Sequence, residues 1–171
     1  MHQHRGFTLW ELIVTTAIAA TIAGLGIPAL NWLVLDLQLS ADTNALVSAI
    51  QLARGESAKR RQPVVMCNSV DGQQCSGTTL DGGWIIFPNA NGGRPPIRDA
   101  NEPLLLDYTP VSQAQIRANR RLFEFRPFLR RSTNGTITLC DRRGLRNARR
   151  VIISYTGRPR TSTVSGRSPC P

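Results

Sequence analysis

Among the many arginines of this chain, Arg158 and Arg160 in the segment Gly157-Arg158-Pro159-Arg160 form a pattern that could grip an anion, although a charged turn before an edge strand would read the same way. A guanidinium is planar, always charged and able to hold a phosphate through two parallel hydrogen bonds. If the segment is extended, residues two apart point to one side and stand about 6 to 7 Å from each other. That spacing is comparable with successive phosphates along a nucleic-acid strand. Gly157 permits a positive φ or a close backbone approach, and Pro159 stiffens the link between the arginines. The surroundings are basic: residues 110–171 hold fourteen arginines against Glu124 and Asp141, whereas residues 1–109 hold seven basic groups against nine acidic ones. Lys59 is the only lysine, and the formal net charge is +10. The C-terminal third therefore reads as a surface for a polyanion. Arg142, Arg143, Arg146, Arg149 and Arg150 crowd the stretch between TITLC and VIISY, either as a second part of the same patch or as a solvated basic loop. Arg117, Arg120, Arg121, Arg130 and Arg131 read as a scattered background field, and Arg167 lies in a small polar tail.

Other chemistry is poorly supplied. Both histidines, His2 and His4, precede Gly6, so the chain beyond Gly6 has none for a nucleophilic or acid–base triad. The carboxylates Asp71, Asp81, Asp99, Asp107 and Asp141 show no paired spacing, and no Gly-Lys-Ser/Thr follows a glycine-rich turn. No enzyme and no cofactor are expected. The four cysteines lie at 67, 75, 140 and 170. Three connectivities are possible. Cys67 and Cys75 flank an Asp71-Gly72 turn and suit a local loop, which leaves Cys140 for Cys170; that second loop of about thirty residues carries on the order of 3 to 4 kcal/mol of chain entropy. Zinc is disfavoured, because no pair has the close spacing of a zinc knuckle.

The elements that must position these groups begin with a helix. From Phe7 to about Leu35 the only ionisable side chain is Glu11. At 1.5 Å per residue, roughly twenty such residues cross a hydrocarbon core of about 30 Å. Pro28 should kink or loosen this part. The helix continues through residue 61, where Leu39, Leu46, Ile50, Ala53 and Ser57 share one face. Lys59, Arg60 and Arg61 suit its C-terminal dipole, and Pro63 ends it. Then PVVMC, WIIF, LLLDY, RLFEF, TITLC and VIISY read as strands, with Asn134-Gly135 a hairpin signal and residues 87–103 a long surface loop. The expected class is α+β, a long N-terminal helix packed on an antiparallel β-sheet head. Its parts are a leader (1–6), a transmembrane half-helix (7–35), an amphipathic half-helix (36–61) and a head (62–171).

The order Gly6, Phe7, Thr8, Leu9, then Glu11 resembles the type III signal of type IV pilins and pseudopilins. A plain signal anchor leaves that spacing as coincidence. The resemblance implies that prepilin peptidase cuts after Gly6 and methylates Phe7, and that Glu11 pairs with the positive terminus of a neighbouring subunit during assembly. An ionised carboxylate in hydrocarbon is costly unless paired, which agrees. ARGESAKRR, PVVMC, GGWIIF, ITLCD and VIISYTGRPR further resemble, in order, the landmarks of the GspH/FimT group of minor pilins and pseudopilins. By that resemblance Gly157-Arg158-Pro159-Arg160 is similar to a GRxR motif implicated in DNA binding during natural transformation, with Arg158 and Arg160 as leading contacts. The implied partners are DNA bound without sequence preference, other pilin or pseudopilin subunits, prepilin peptidase and the inner membrane. The implied location is a single-pass inner-membrane protein with a periplasmic head, later part of an extracellular pilus. The competing expectation is a minor pilin or type II secretion pseudopilin that primes or caps a filament, its arginines touching acidic neighbours. Adhesion to anionic membranes or glycans is a third.

Overall fold

The structure is a computed structural model that describes residues 8–69, 71–93, 96–127, 131–144 and 147–164. The expected processing residues Gly6 and Phe7, together with Arg130, Arg146, Arg167 and Cys170, lie outside them. The chain divides into two compact units, Met1–Leu37 and Gln38–Pro171, and helix α1 (Leu9–Arg60) runs through the boundary. It begins with a capping box. Thr8 Oγ1 accepts from Glu11 N (3.3 Å), while Glu11 Oε2 accepts from Thr8 N (3.0 Å) and Thr8 Oγ1 (2.9 Å), so Thr8 and Glu11 satisfy each other's end-of-helix groups. Beyond the cap, Thr15, Thr16 and Thr21 donate their hydroxyls to carbonyls four residues back, leaving no hydroxyl of the three unbonded. This part of the helix is long and apolar enough to cross a membrane, and none of its apolar window is buried within the chain. It runs unbroken through Pro28.

In the second unit the expected helix face is buried: Leu39, Leu46, Ile50 and Ala53 have no exposed surface and Ser57 has 1%. The expected antiparallel head packs on it as two four-stranded sheets. The first has the order β3-β2-β1-β5, from β1 (Val64–Cys67), β2 (Trp84–Pro88), β3 (Leu106–Tyr108) and β5 (Leu122–Phe125). The second has the order β4-β6-β7-β8, from β4 (Gln115–Ala118), β6 (Gly135–Cys140), β7 (Arg149–Ile153) and β8 (Pro159–Thr163). Met66 and Ile86 from the first sheet and Ile116, Ile137, Leu139, Val151 and Ile153 from the second meet the helix in one core. Each such side chain contributes about 1.5 to 3 kcal/mol by leaving water. The far face of the first sheet buries a second cluster, Val65, Cys67, Ile85 and Phe87, against Cys75 and Leu122. Cys67 and Cys75 are joined by a disulfide with Cα atoms 5.5 Å apart. Asp42 ties the helix to the head, its buried carboxylate accepting from Tyr108 Oη (2.9 Å) and from the backbone N–H groups of Val111 (3.0 Å) and Ser112 (2.9 Å).

Several expectations need correction. Asn134-Gly135 is not a hairpin turn, because β6 pairs with β4 and β7 and not with the preceding β5. Gly135 is there for close approach: a Cβ would lie 2.6 Å from Asn119 Oδ1 and 2.7 Å from Phe123 Cε1. VIISY is strand only to Ile153, and the strand starts earlier, at Arg149. Phe87 and Pro88 belong to β2, so the expected surface loop starts only at Asn89, and side-chain hydrogen bonds tie it down. Glu102 accepts from Ala90 N (2.7 Å) and Asp99 N (3.1 Å), and Arg98 donates to the carbonyls of Gly72 and Glu102. Strands β4 and β8 were not expected at all. QIRA has one strong apolar residue and PRTST has none, so neither carries a hydrophobic signal; their pairing to β6 and β7 makes them strands.

Candidate nucleic-acid interface

The hairpin β7–β8 carries the two leading arginines, and its turn, residues 154–158, is closed by its own backbone. Ser154 N donates to Arg158 O (3.1 Å), Gly157 N to Ser154 O (2.9 Å), and Arg158 N to Ser154 Oγ (3.2 Å). Ser154 Oγ also meets Thr156 Oγ1 at 2.8 Å. Gly157 has φ +71°, and a Cβ there would lie 3.1 Å from Phe125 Cδ1 and 3.4 Å from Arg54 Cδ and Ser132 Oγ. The positive dihedral favours glycine here, and the tight approach of Phe125 leaves little room for a Cβ. Pro159, first residue of the edge strand, needs no donor on its open side. Arg160 is exposed and lies opposite Ile152. Because Ser154 N continues the ladder to Arg158, the alternation of an extended strand carries Arg158, also exposed, to the side of Arg160.

Three further arginines gather at this end of the head. Arg54 on α1 lays its side chain against Gly157 and is itself exposed. Arg120 packs beside Gly135, which pairs with Ile153, which in turn pairs with Pro159. Arg131 sits over the Tyr155 ring with its Cζ 5.6 Å from the centroid. Ion pairs among the described residues involve Lys59 and Arg60 with Glu56, Arg126 with Glu124, and Arg143 with Asp141. Arg54, Arg120, Arg131, Arg158 and Arg160 take part in none of them. Sequence reasoning missed Arg54 and left Arg120 and Arg131 in the background, since no local pattern tells which helix face or loop meets a turn a hundred residues on.

The other candidates lie elsewhere. Arg142 and Arg143 belong to the β6–β7 connection, at the opposite end of β7 from the turn, and Arg149 opens β7 there. Five strand residues separate the two ends by roughly 15 Å. Arg143 is also turned inward: its Nε meets Asp141 Oδ2 at 2.7 Å, and the two side chains keep 7% and 5% of their surface. It braces the loop instead of facing a ligand. Arg150 shares the outer face of the second sheet with Arg117 and, diagonally, Arg160. Its Nε is buried without a hydrogen-bond partner. Arg142, Arg143 and Arg149 therefore lie at the end of β7 away from the turn and Arg150 on the outer face, while Arg146 lies outside the described residues.

A family described as Type II transport protein GspH matches residues 42–157, more than half of the chain. The chain belongs to the GspH family. The match stops at Gly157, so it includes the glycine of the turn but neither Arg158 nor Arg160. The fold is similar to that in the crystal structure of the type IV minor pilin FimU of Pseudomonas aeruginosa (strain PAO1), with a TM-score of 0.52 and 15% identity over 72% of this chain and 91% of that one. At that identity the likeness is one of fold. The comparison with curated proteins finds no match.

Proposed function

We propose that this GspH-family chain is a minor type IV pilin of the FimT kind, binding DNA without sequence preference and contributing to its uptake in natural transformation. The observation that carries the reading is the gathering of five arginines, Arg54, Arg120, Arg131, Arg158 and Arg160, around one rigid turn with no acidic partner among the described residues. Phosphate contacts dominate such a site, and each one made to duplex DNA lowers log affinity by about 0.9 per unit of log salt. Two to five contacts give weak binding per head, raised by avidity where several subunits share a filament. In the same reading prepilin peptidase cuts after Gly6 and methylates Phe7, the apolar half of α1 anchors the chain in the inner membrane with its head in the periplasm, and Glu11 meets the positive terminus of a neighbouring subunit in the pilus. All described contacts of the Glu11 side chain use Oε2, so Oε1 is open to that partner.

The test uses the full chain in detergent, titrated against unrelated duplexes over a salt series. Arg158→Gln and Arg160→Gln each reduce the salt slope by about one. Unchanged binding by the double variant overturns the assignment. A second reading is favoured by the family description itself, Type II transport protein GspH, and by its ending before Arg158. In it the chain primes or caps a filament with no DNA role. Loss of transformation with retained twitching in a deletion strain separates the two.

A further inference from the structure

Among the described residues of the second unit, Tyr155 is the one aromatic side chain left exposed, at 57%. Trp84, Phe87, Phe123 and Phe125 are fully buried, and Tyr108 is stacked on Trp84 at 4.5 Å between centroids and bonded to Asp42. Tyr155 instead stands in the turn that carries Arg158. Its backbone is held, since its carbonyl accepts from Ser132 N (2.9 Å) and the turn closes from Ser154 to Arg158. Its ring has the Arg131 guanidinium over it, a cation–π arrangement that orients the ring. The ring is thus exposed, oriented and set among cations.

We infer that Tyr155 is a stacking platform for an unpaired nucleobase, so that the arginine end of this head prefers single-stranded DNA or frayed ends to intact duplex. The inference rests on the DNA-binding reading above and adds the strand form to it. An exposed aromatic beside cations that track a backbone is the combination by which single strands are held, and base–aromatic stacking strengthens binding by about tenfold or more per base. Every base has a π-face, so the platform adds affinity without adding sequence preference. In a duplex the bases are already stacked on each other, and presenting one to the ring carries the cost of unstacking it first. Duplex binding therefore draws on the arginines alone, whereas a single strand draws on the arginines and the ring. The closed turn keeps both kinds of contact on one rigid loop, which lowers the entropy lost on binding.

The experiment compares three probes with the full chain in detergent: a thymidine strand of about twelve nucleotides, a duplex of that length, and an abasic strand with the same phosphates and no bases. Tyr155→Ala and Tyr155→Leu are expected to weaken the thymidine strand about tenfold, leave the duplex and the abasic strand within about twofold, and be rescued by Tyr155→Phe. Equal weakening of all three probes, or no change with any, overturns the platform. So does a Tyr155→Ala chain that binds the thymidine strand normally but fails to enter filaments, which assigns the ring to a subunit contact. Arg158→Gln with Arg160→Gln weakens all three probes if the DNA reading is right. If that pair is silent, the DNA reading itself fails; if the pair acts and Tyr155→Ala does not, only the platform fails.

Discussion

At the scale of residues, Gly157 shows how the shape of a turn depends on a position with no side chain. Gly157→Ala places a Cβ at φ +71° and 3.1 Å from the Phe125 ring. The expected loss of stability is about 1 to 2 kcal/mol, read from a denaturant melt, with weaker DNA binding because Arg158 moves with the turn. Two ionisable groups give pH signatures. Burial, reinforced by the Asp42 carboxylate that accepts its hydroxyl proton, pushes the Tyr108 phenol up to about 12. The unfolded phenol loses its proton near pH 10, so between about pH 10 and 12 the folded state holds the proton that the unfolded state has lost, and stability falls as pH rises. Phenolate absorbance of the folded protein, with Tyr108→Phe to assign it, checks this. Asp71 behaves in the opposite sense. The N–H groups of Gln74 and Gln73 and the Ser69 hydroxyl hold its carboxyl below the usual carboxylate range. Its contribution is complete above the ordinary aspartate value and is lost as pH falls through the lowered one. Amide chemical shifts of Gln73 and Gln74 should follow that acid transition and lose it in Asp71→Asn.

At the scale of elements, the two ends of β7 have different duties. Arg143 and Asp141 brace the β6–β7 connection, so Arg143→Ala is expected to cost about 3 kcal/mol of stability by leaving a buried carboxylate without its cation. Arg142→Gln, on the same connection but exposed, is expected to leave stability unchanged and to change affinity for DNA far less than Arg158→Gln. Paired melts and titrations of the two variants check both statements. Strands β1, β2 and β6 are legible in the sequence because VVMC, WIIF and TITLC bury nearly every side chain. β8 is not, because PRTST is largely exposed on both faces and owes its form to hydrogen bonds from β7. The site is legible in the same partial way. Arg158 and Arg160 can be read from a local motif, whereas Arg54 joins them only because α1 passes beneath the turn.

At the scale of the whole molecule, the two units pose different solubility problems. Leu9, Trp10, Ile22, Leu25 and Leu30 are each more than 60% exposed, an apolar surface that the chain itself does not cover. The full chain is expected to associate when detergent is diluted below its micelle concentration, and Leu25→Glu with Leu30→Glu to reduce that association; light scattering measures it. The second unit holds both core clusters and both sheets. If its basic end binds DNA as proposed, single heads bind weakly and repetition makes them effective, so affinity for long DNA should rise steeply with the number of heads held in one particle.

By itself the sequence determined the helix and its apolar half, the buried face from Leu39 to Ser57, the α+β class and the excess of arginine in the last third. These follow from periodicity and composition, which are local properties. Tertiary structure alone decided that there are two sheets, that Gly135 admits its neighbours instead of turning a hairpin, that Arg143 is spent on Asp141, and that Arg54, Arg120, Arg131 and Tyr155 stand around Gly157. Each of these depends on which distant segments share a strand register or a packing contact, and no local pattern records that choice.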